Sequence, residues 1–159
     1  MLTAQEELPR NWRLVLKAGF RPLSVQTQLL QAFIEQTKRA HPKWTADQRL
    51  AHARIFVSDP TIAHPPHVTG GAVDIDVWDA TAQEYVDMGC PPNTDSELAY
   101  LHSAAVSTQA QQNRRKLLLA MLAAGFAPLA NEWWHYQYGE AQWAAFYGHK
   151  TTKYDLIKL

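Results

Sequence analysis

Two short stretches decide the fold and the chemistry of this 159-residue chain: His67-Val-Thr-Gly-Gly-Ala-Val-Asp74 and Glu132-Trp-Trp-His135. Together they supply two imidazoles and two carboxylates. A catalytic zinc site uses three such protein ligands, leaves the fourth position to water, and keeps a carboxylate nearby to accept that water's proton. Imidazole and carboxylate ligands without thiolates suit zinc and other borderline cations. We therefore interpret His67, Asp74 and His135 as ligands of Zn²⁺ and Glu132 as the base.

The segment that contains Asp74 has the pattern of a half-buried strand. Residues 72–78 alternate in polarity, which predicts one face in the core and one face on a cleft. Asp74 and Asp76 share the cleft face, and both compete for the role of ligand because a buried carboxylate must be paired or metal-bound. Gly70 and Gly71, just upstream, permit a tight turn or a close backbone approach.

Glu132 and His135 are three residues apart, which constrains the backbone between them. On a helix they would share a face, whereas on a straight strand they would point to opposite faces. The aromatic content of residues 132–138 favours a strand. Both side chains then reach one metal only if the chain bends near Asn131 and Glu132. We expect Trp133 and Trp134 to lie in the core.

Other segments show helical periodicity or strand alternation. Helices are expected at residues 22–40, 45–57, 109–124 and 141–147, and a strand at residues 12–20. Capping boxes are expected at Thr45-Ala-Asp-Gln48 and at Thr94-Asp-Ser-Glu97. This order predicts an α+β fold, with helices flanking one mainly antiparallel sheet, in a single domain over residues 1–159.

Composition and charge exclude several classes of partner. Fifteen basic residues balance fifteen acidic residues, so the chain has no basic footprint for nucleic acid and no polybasic membrane patch. The amino terminus lacks the apolar core of a signal peptide, and no stretch approaches a transmembrane span. We therefore expect a cytoplasmic protein with no nucleic-acid or membrane partner. The lone Cys90 is interpreted as a structural residue.

The ordered set of motifs carries a resemblance to a known family. The H-x-x-G-x-A-x-D stretch that begins at His67, the downstream E-W-W-H stretch and the upstream Phe20-Arg21-Pro22 resemble the D-alanyl-D-alanine dipeptidases of the vancomycin-resistance type. These are zinc peptidases related to D,D- and L,D-carboxypeptidases and to the hedgehog fold. Asp87-Met88-Gly89 and Asn113-Arg114-Arg115 also fit the family pattern. The resemblance runs from about residue 17 to about residue 147 and implies a hedgehog-like peptidase fold.

The resemblance also implies roles for individual residues. Its register selects Asp74 as the carboxylate ligand and leaves Asp76 as a hydrogen-bond partner of a ligand. It makes Glu132 the general base and later the proton donor to the leaving amine. It places the Arg21 guanidinium beside the metal, where it stabilises an oxyanion. Asp87 falls where the family has an aspartate that receives the substrate's ammonium group.

Three further arginines are weaker candidates for a role at the site. Arg54, Arg114 and Arg115 are expected on solvated helix faces. His64, close to His67 in sequence, has no place in the motif and is expected to be an exposed loop residue.

The function that the resemblance implies is zinc-dependent hydrolysis of a small D-amino-acid peptide, D-alanyl-D-alanine, in peptidoglycan precursor and cell-wall metabolism. Two departures from the family pattern bear on the substrate. Pro65 stands where members commonly have a Ser that contributes to the substrate pocket. Only about twenty residues precede Arg21, whereas the family usually carries a longer amino-terminal segment that helps close the cleft, and a more open cleft would admit longer peptides. The alternative is therefore a D,D- or L,D-carboxypeptidase, or an endopeptidase, acting on peptidoglycan stem peptides. A second alternative is a non-catalytic zinc-containing binding module on the same fold. The presence of Glu132 and Arg21 argues against the module, because metal binding alone needs neither residue.

Overall fold

A computed structural model describes residues 1–61 and 64–157, and within these ranges five α-helices flank one five-stranded, antiparallel sheet. The helices are α1 (Leu2–Glu6), α2 (Leu23–Ala40), α3 (Ala46–Phe56), α4 (Thr108–Ala123) and α5 (Ala141–Tyr147). The strands are β1 (Trp12–Ala18), β2 (Ala72–Asp79), β3 (Glu84–Tyr85), β4 (Ala127–Leu129) and β5 (Glu132–Gln137). The α+β architecture is confirmed. None of the helices within the described ranges combines the length and the apolar character needed to cross a membrane.

The sheet is built around β2, the strand that carries Asp74. Its strand order is β1-β2-β5-β4, and β3 folds back onto the end of β2. Each pairing is antiparallel, and β2 pairs with β5 so that Asp74 lies directly opposite His135. Two residues 61 positions apart in sequence are therefore cross-strand neighbours. At such a position the two side chains lie on the same face of the sheet.

The apolar face of β2 forms the centre of the core. Ile75 and Val77 are fully buried and pack in one cluster with Leu117 of α4 and Tyr136 of β5. Burying side chains of this size contributes roughly 1.5–3 kcal/mol each, which keeps this face of β2 in the core. Because side chains alternate along a strand, Asp74 and Asp76 then lie on the opposite face, towards the site. Helices α1 and α4 pack together over this core, whereas α2 packs on α3.

The helix boundaries test the expected caps. The capping box at α3 is confirmed, because Oγ1 of Thr45 accepts the N–H of Gln48 and Oε1 of Gln48 accepts the N–H of Thr45, at 3.2 and 2.8 Å. The prediction of a second capping box at Thr94-Asp-Ser-Glu97 was wrong. Thr94 Oγ1 donates to the carbonyl of Pro91, and Ser96 caps the short 3-10 turn Glu97–Ala99. The short helix α1 was not expected, because five residues carry too little periodicity.

Arg114 lies in the core, and its placement on a solvated helix face was wrong. It is 1% exposed, and its side chain donates to the carbonyls of Met88, Leu98 and Tyr100 at 2.7, 2.8 and 2.6 Å. A buried guanidinium is tolerated only when its N–H groups are satisfied in this way. Arg114 therefore ties the long segment between β3 and α4 to the core, whereas Arg115 is exposed as expected.

We predict that Arg114→Leu lowers the free energy of unfolding by roughly 2–4 kcal/mol, because several backbone carbonyls lose their donor at once. Urea denaturation measures the change. Arg115→Leu is the matched control, and its effect should stay within about 0.5 kcal/mol, as is usual for surface positions. Equal changes in the two variants would contradict the structural role assigned to Arg114.

Candidate metal centre

His67 is presented by a tight turn between the proline-rich segment and β2. The turn is the 3-10 helix Pro66–Thr69, and Gly70 ends it with φ +73°. A Cβ on Gly71 would lie 2.6 Å from the carbonyl oxygen of Tyr138, so only glycine fits where the turn meets β5. The Nδ1 of His67 lies 2.7 Å from the carbonyl oxygen of Gly19. Because a carbonyl only accepts, Nδ1 carries the proton and Nε2 is free to bind a metal.

The cross-strand pair on β2 and β5 supplies the other two candidate ligands. The Nδ1 of His135 lies 2.9 Å from Oδ1 of Asp74, and the Nε2 of His67 lies 3.3 Å from Oδ2. The three residues are 4–6% exposed, and one ligand atom from each lies within 4.8 Å of the others. The structure therefore brings together the three residues that the sequence motifs indicate as zinc ligands.

The donor set fits a zinc ion. Tetrahedral zinc with bonds of about 2.0–2.2 Å places its ligand atoms about 3.3–3.6 Å apart. The distance from His67 to Asp74 agrees with this spacing, and the distance from His135 to Asp74 is slightly shorter. The Nε2 of His135 is buried and has no hydrogen-bond partner among the described residues. The polar contact of the His135 ring is therefore made by Nδ1, which faces Asp74 and the cluster.

The electrostatics also favour a cation. Burial raises the pKa of the Asp74 carboxyl, but the adjacent imidazoles of His135 and His67 more than offset this effect, so its pKa lies well below the usual value. Burial lowers the pKa of His135, which keeps the imidazole neutral. Neutral imidazoles and an ionised carboxylate are the protonation states that bind metals.

An irregularity in β5 brings Glu132 to the same site. Pro128 of β4 pairs with Tyr136, but the next residue, Leu129, pairs with Glu132, so β5 bulges between these two pairs. As a result Oε2 of Glu132 lies 3.8 Å from Nδ1 of His135 despite the three-residue spacing. The irregularity lies inside the strand, whereas the sequence pattern predicted a bend near residues 131–132.

The surroundings of Glu132 raise the pKa of its carboxyl group. Burial raises its pKa to about 8, with a further rise from the Asp74 charge and an opposing effect from Arg21. A cation at the cluster would lower this pKa again, because bound ions are the largest local charges in such sites. Next to it, Trp133 and Trp134 are 1% and 2% exposed and belong to the core, and Trp134 also lines the cavity described below.

Arg21 approaches the cluster from the segment after β1. Its backbone N–H donates to the carbonyl of His67 at 3.0 Å, and its Nη2 lies 3.9 Å from Oδ2 of Asp74. Its Nη1 donates to Oε1 of Gln26 at 2.9 Å. Gln26 was missed by sequence reasoning, because a glutamine among the residues of an amphipathic helix gives no signal of its own.

A cavity of about 510 Å³ opens onto the cluster. Arg21, Glu132 and the candidate ligands form one side of it. An apolar wall comes from α2 and the end of α3 and includes Leu29, Phe33, Ile55 and Val57; the polar Gln36 and Arg54 of the same helices also line the cavity. The cavity therefore combines charged groups with an apolar wall, which is typical of small-molecule sites.

Asp87 lies outside this cavity. It is exposed, its Oδ1 accepts the N–H of Gly89, and it lines a smaller recess together with Trp12 and Lys116. Its position therefore does not support the expected contact with a substrate ammonium group. The later loop residues Asn93, Thr94 and Asp95 reach the cavity instead.

Two other charged residues differ from expectation. The Oδ1 of Asp76 accepts the N–H of Val77, and no hydrogen bond joins Asp76 to a candidate ligand in the part of the chain that the structure describes. Arg54 is not merely solvated, because its Nε and Nη2 donate to Oδ2 of Asp59 at 3.0 and 2.8 Å. This pair holds the segment that follows α3 against the helix.

Comparison with known proteins identifies the family. The family model described as D-ala-D-ala dipeptidase matches residues 4–154. The chain belongs to this family. Two of the curated members that the chain resembles are the D-alanyl-D-alanine dipeptidases of Streptomyces coelicolor and Enterococcus faecium. They are 28% and 33% identical to the chain over 123 and 127 residues, matches that cover 77% and 80% of the chain. The chain spans about three fifths of the length of these dipeptidases, 60% and 62%.

A solved structure shows the same fold. VanYB in complex with D-alanine-D-alanine superposes with a TM-score of 0.51 at 19% identity, over 88% of the chain and 68% of VanYB. The family membership and the peptidase-like fold expected from the ordered motifs are thus confirmed.

We predict that the protein binds one equivalent of zinc and that His67→Ala or Asp74→Asn reduces the bound zinc to a small fraction, because each removes one of three ligands. Elemental analysis after removal of free metal measures the content. His64→Ala is the control: this histidine lies near His67 in sequence, its side chain is 61% exposed, and the variant should retain full zinc. Full zinc in His67→Ala would refute the ligand assignment.

Proposed function

We propose that the protein hydrolyses D-alanyl-D-alanine in a zinc-dependent reaction, with Glu132 as general base and as proton donor to the leaving amine. One observation carries the proposal. A cluster of three buried potential ligands, a carboxylate 3.8 Å from one ligand atom and a guanidinium 3.9 Å from another border the same cavity. The family membership supports it, because its named members are dipeptidases of this kind.

The candidate ligands would hold the ion through Nε2 of His67, a carboxylate oxygen of Asp74 and Nδ1 of His135. When bound, zinc polarises a peptide carbonyl and lowers the pKa of a bound water towards about 7. The hydrogen bond from Nδ1 of His67 to Gly19 fixes the orientation of that ring, as supporting contacts commonly do at metal sites. Placement of the ligands on paired strands and a turn keeps the set rigid.

Glu132 and Arg21 perform the proton and charge chemistry. Glu132 accepts a proton from the attacking water at Oε2, holds it, and passes it to the amide nitrogen as the C–N bond breaks. Arg21 donates N–H groups to the carbonyl oxygen while that oxygen gains negative charge. The apolar wall from α2 and α3 borders the same cavity and lowers the local dielectric, which strengthens these interactions.

We predict that Glu132→Gln lowers the rate of D-alanine release from D-alanyl-D-alanine by roughly 10²–10⁴-fold, the range of general-base contributions. Zinc content should remain at one equivalent, because a glutamine side chain has the same size as the glutamate it replaces. Free D-alanine is measured with a D-amino-acid oxidase assay. Glu84→Gln makes the same change on the exposed strand β3 and should leave the rate unchanged. Full activity in a zinc-loaded Glu132→Gln protein would place the base elsewhere.

The size of the cavity favours a second candidate, a carboxypeptidase acting on longer D-alanyl-D-alanine peptides. A dipeptide of eleven heavy atoms fills at most ~330 Å³, even if each atom takes the ~30 Å³ share of a water molecule. The cavity is larger, at about 510 Å³. Its apolar wall continues to Leu29 and Ile55, which are 41% and 45% exposed.

The second candidate predicts cleavage of an N-hexanoyl-D-alanyl-D-alanine peptide with kcat/KM within about tenfold of that for the free dipeptide, a difference of ~1.4 kcal/mol. Ile55→Asp should lower kcat/KM for the acylated peptide alone, by roughly tenfold, because the acyl chain loses an apolar contact. Leu119→Asp, at an exposed position of α4, is the matched control. Cleavage of the free dipeptide alone would exclude this candidate and leave the dipeptidase.

A further inference from the structure

Gln26 is a buried polar residue in the first turn of α2, only 2% exposed. Both ends of its amide are used. Its Oε1 accepts from Nη1 of Arg21 at 2.9 Å, and its Nε2 donates to the carbonyl of Ser58 at 2.8 Å. A guanidinium only donates and a carbonyl only accepts, so this arrangement fixes the orientation of the amide. Gln26 thus links Arg21 to Ser58 by two hydrogen bonds, and its amide has a single orientation that allows both.

The Ser58 carbonyl, which accepts from Gln26, lies in a rigid segment. Ser58 comes just after Val57, the residue that ends α3, and the next residue, Asp59, is held by the two N–H donors of Arg54. The side chain of Asp59 also accepts from the N–H and the hydroxyl of Thr61. The carbonyl that anchors Gln26 therefore belongs to a segment that is fixed by several hydrogen bonds of its own.

At the other end, Gln26 holds Arg21, whose guanidinium has Asp74 as an alternative partner. The Nη2 of Arg21 lies 3.9 Å from Oδ2 of Asp74, which is too long for a hydrogen bond. The attraction between these charges is strong in a partly buried site. If Gln26 did not hold Nη1, a small rotation would tighten this long contact into a hydrogen-bonded ion pair between Arg21 and Asp74. That pair would occupy an oxygen of a candidate metal ligand and withdraw the guanidinium from the cavity.

We propose that Gln26 is a positioning residue, which holds Arg21 away from Asp74 and directs the guanidinium into the cavity. This inference rests on the proposed metal and catalytic roles of the site. Gln26 leaves Asp74 free for the metal, and it keeps Arg21 where the oxyanion of the substrate forms. It acts through Arg21 and does not itself contact the reacting atoms.

Metal affinity tests the inference without any need for turnover. The zinc dissociation constant is measured by competition with a chromophoric chelator for the wild type, Gln26→Met, Arg21→Met and the double variant. We expect Gln26→Met to weaken zinc binding about threefold to tenfold, a coupling of ~0.7–1.4 kcal/mol, because the released Arg21 competes for Asp74. In the Arg21→Met background the same substitution should change affinity less than about twofold. An equal weakening in both backgrounds overturns the inference, because a general loss of structure does not require Arg21.

Kinetic measurements on the same four proteins test whether Gln26 acts on catalysis through Arg21. With D-alanyl-D-alanine, Gln26→Met should lower kcat by roughly 10–100-fold with little change in KM, and it should add nothing in the Arg21→Met background. Additive losses overturn the inference but leave the proposed function intact. If the wild type cleaves no D-alanyl peptide and the zinc cycle still shows coupling, the proposed function fails and the positioning role stands.

A conservative variant guards against misfolding. Gln26→Glu loses the donor to the Ser58 carbonyl but gives Arg21 a charged acceptor, which forms a stronger hydrogen bond than the neutral amide, so it should retain the zinc affinity of the wild type within about twofold. Thr37→Val removes another buried polar group from α2, whose hydroxyl donates to the carbonyl of Phe33 in the same helix, and should leave both zinc affinity and kcat unchanged. Zinc binding by Gln26→Glu that is as weak as that of Gln26→Met would contradict the role assigned to the acceptor.

Discussion

The buried carboxylate of Asp74 is the constraint on which the rest of the structure depends. An ionised carboxylate that is almost entirely removed from water is costly unless charged or hydrogen-bonding groups surround it. Here it is flanked by His135 from the paired strand and by His67 from the preceding turn. The antiparallel register of β2 and β5 sets the first of these contacts, and the alternation of β2 sets the face on which both occur. A cation at this point would interact favourably with this buried negative charge.

The irregular features of the backbone described above lie next to this carboxylate. Gly71 allows the turn that carries His67 to approach β5 closely, and the bulge in β5 brings Glu132 to the same side as His135. The segment after β1 adds Arg21 through a backbone hydrogen bond to His67. Local strain and irregular pairing are often concentrated at functional sites for this reason. The regular elements, above all α4 and the apolar face of β2, supply the rigid core behind them.

Much of the fold and of the candidate site could be predicted because the signals are local. The alternation of residues 72–78, the capping box at Thr45 and the ordered motifs lie within a few residues each, and the family they indicate is the one that matches. The failures concern contacts between distant segments. Arg114 has the helical neighbours of a surface residue, but its acceptors lie 14 to 26 residues away. The same limit hid Gln26, since no local pattern records which cavity a side chain faces.

We propose that one divalent cation binds between β2, β5 and the turn before β2. Anomalous diffraction at the zinc edge from crystals grown with zinc tests it most directly. The account predicts a single strong peak about 2.0–2.2 Å from Nε2 of His67, a carboxylate oxygen of Asp74 and Nδ1 of His135. No peak at this cluster, or a peak bound only by other side chains, would contradict the account.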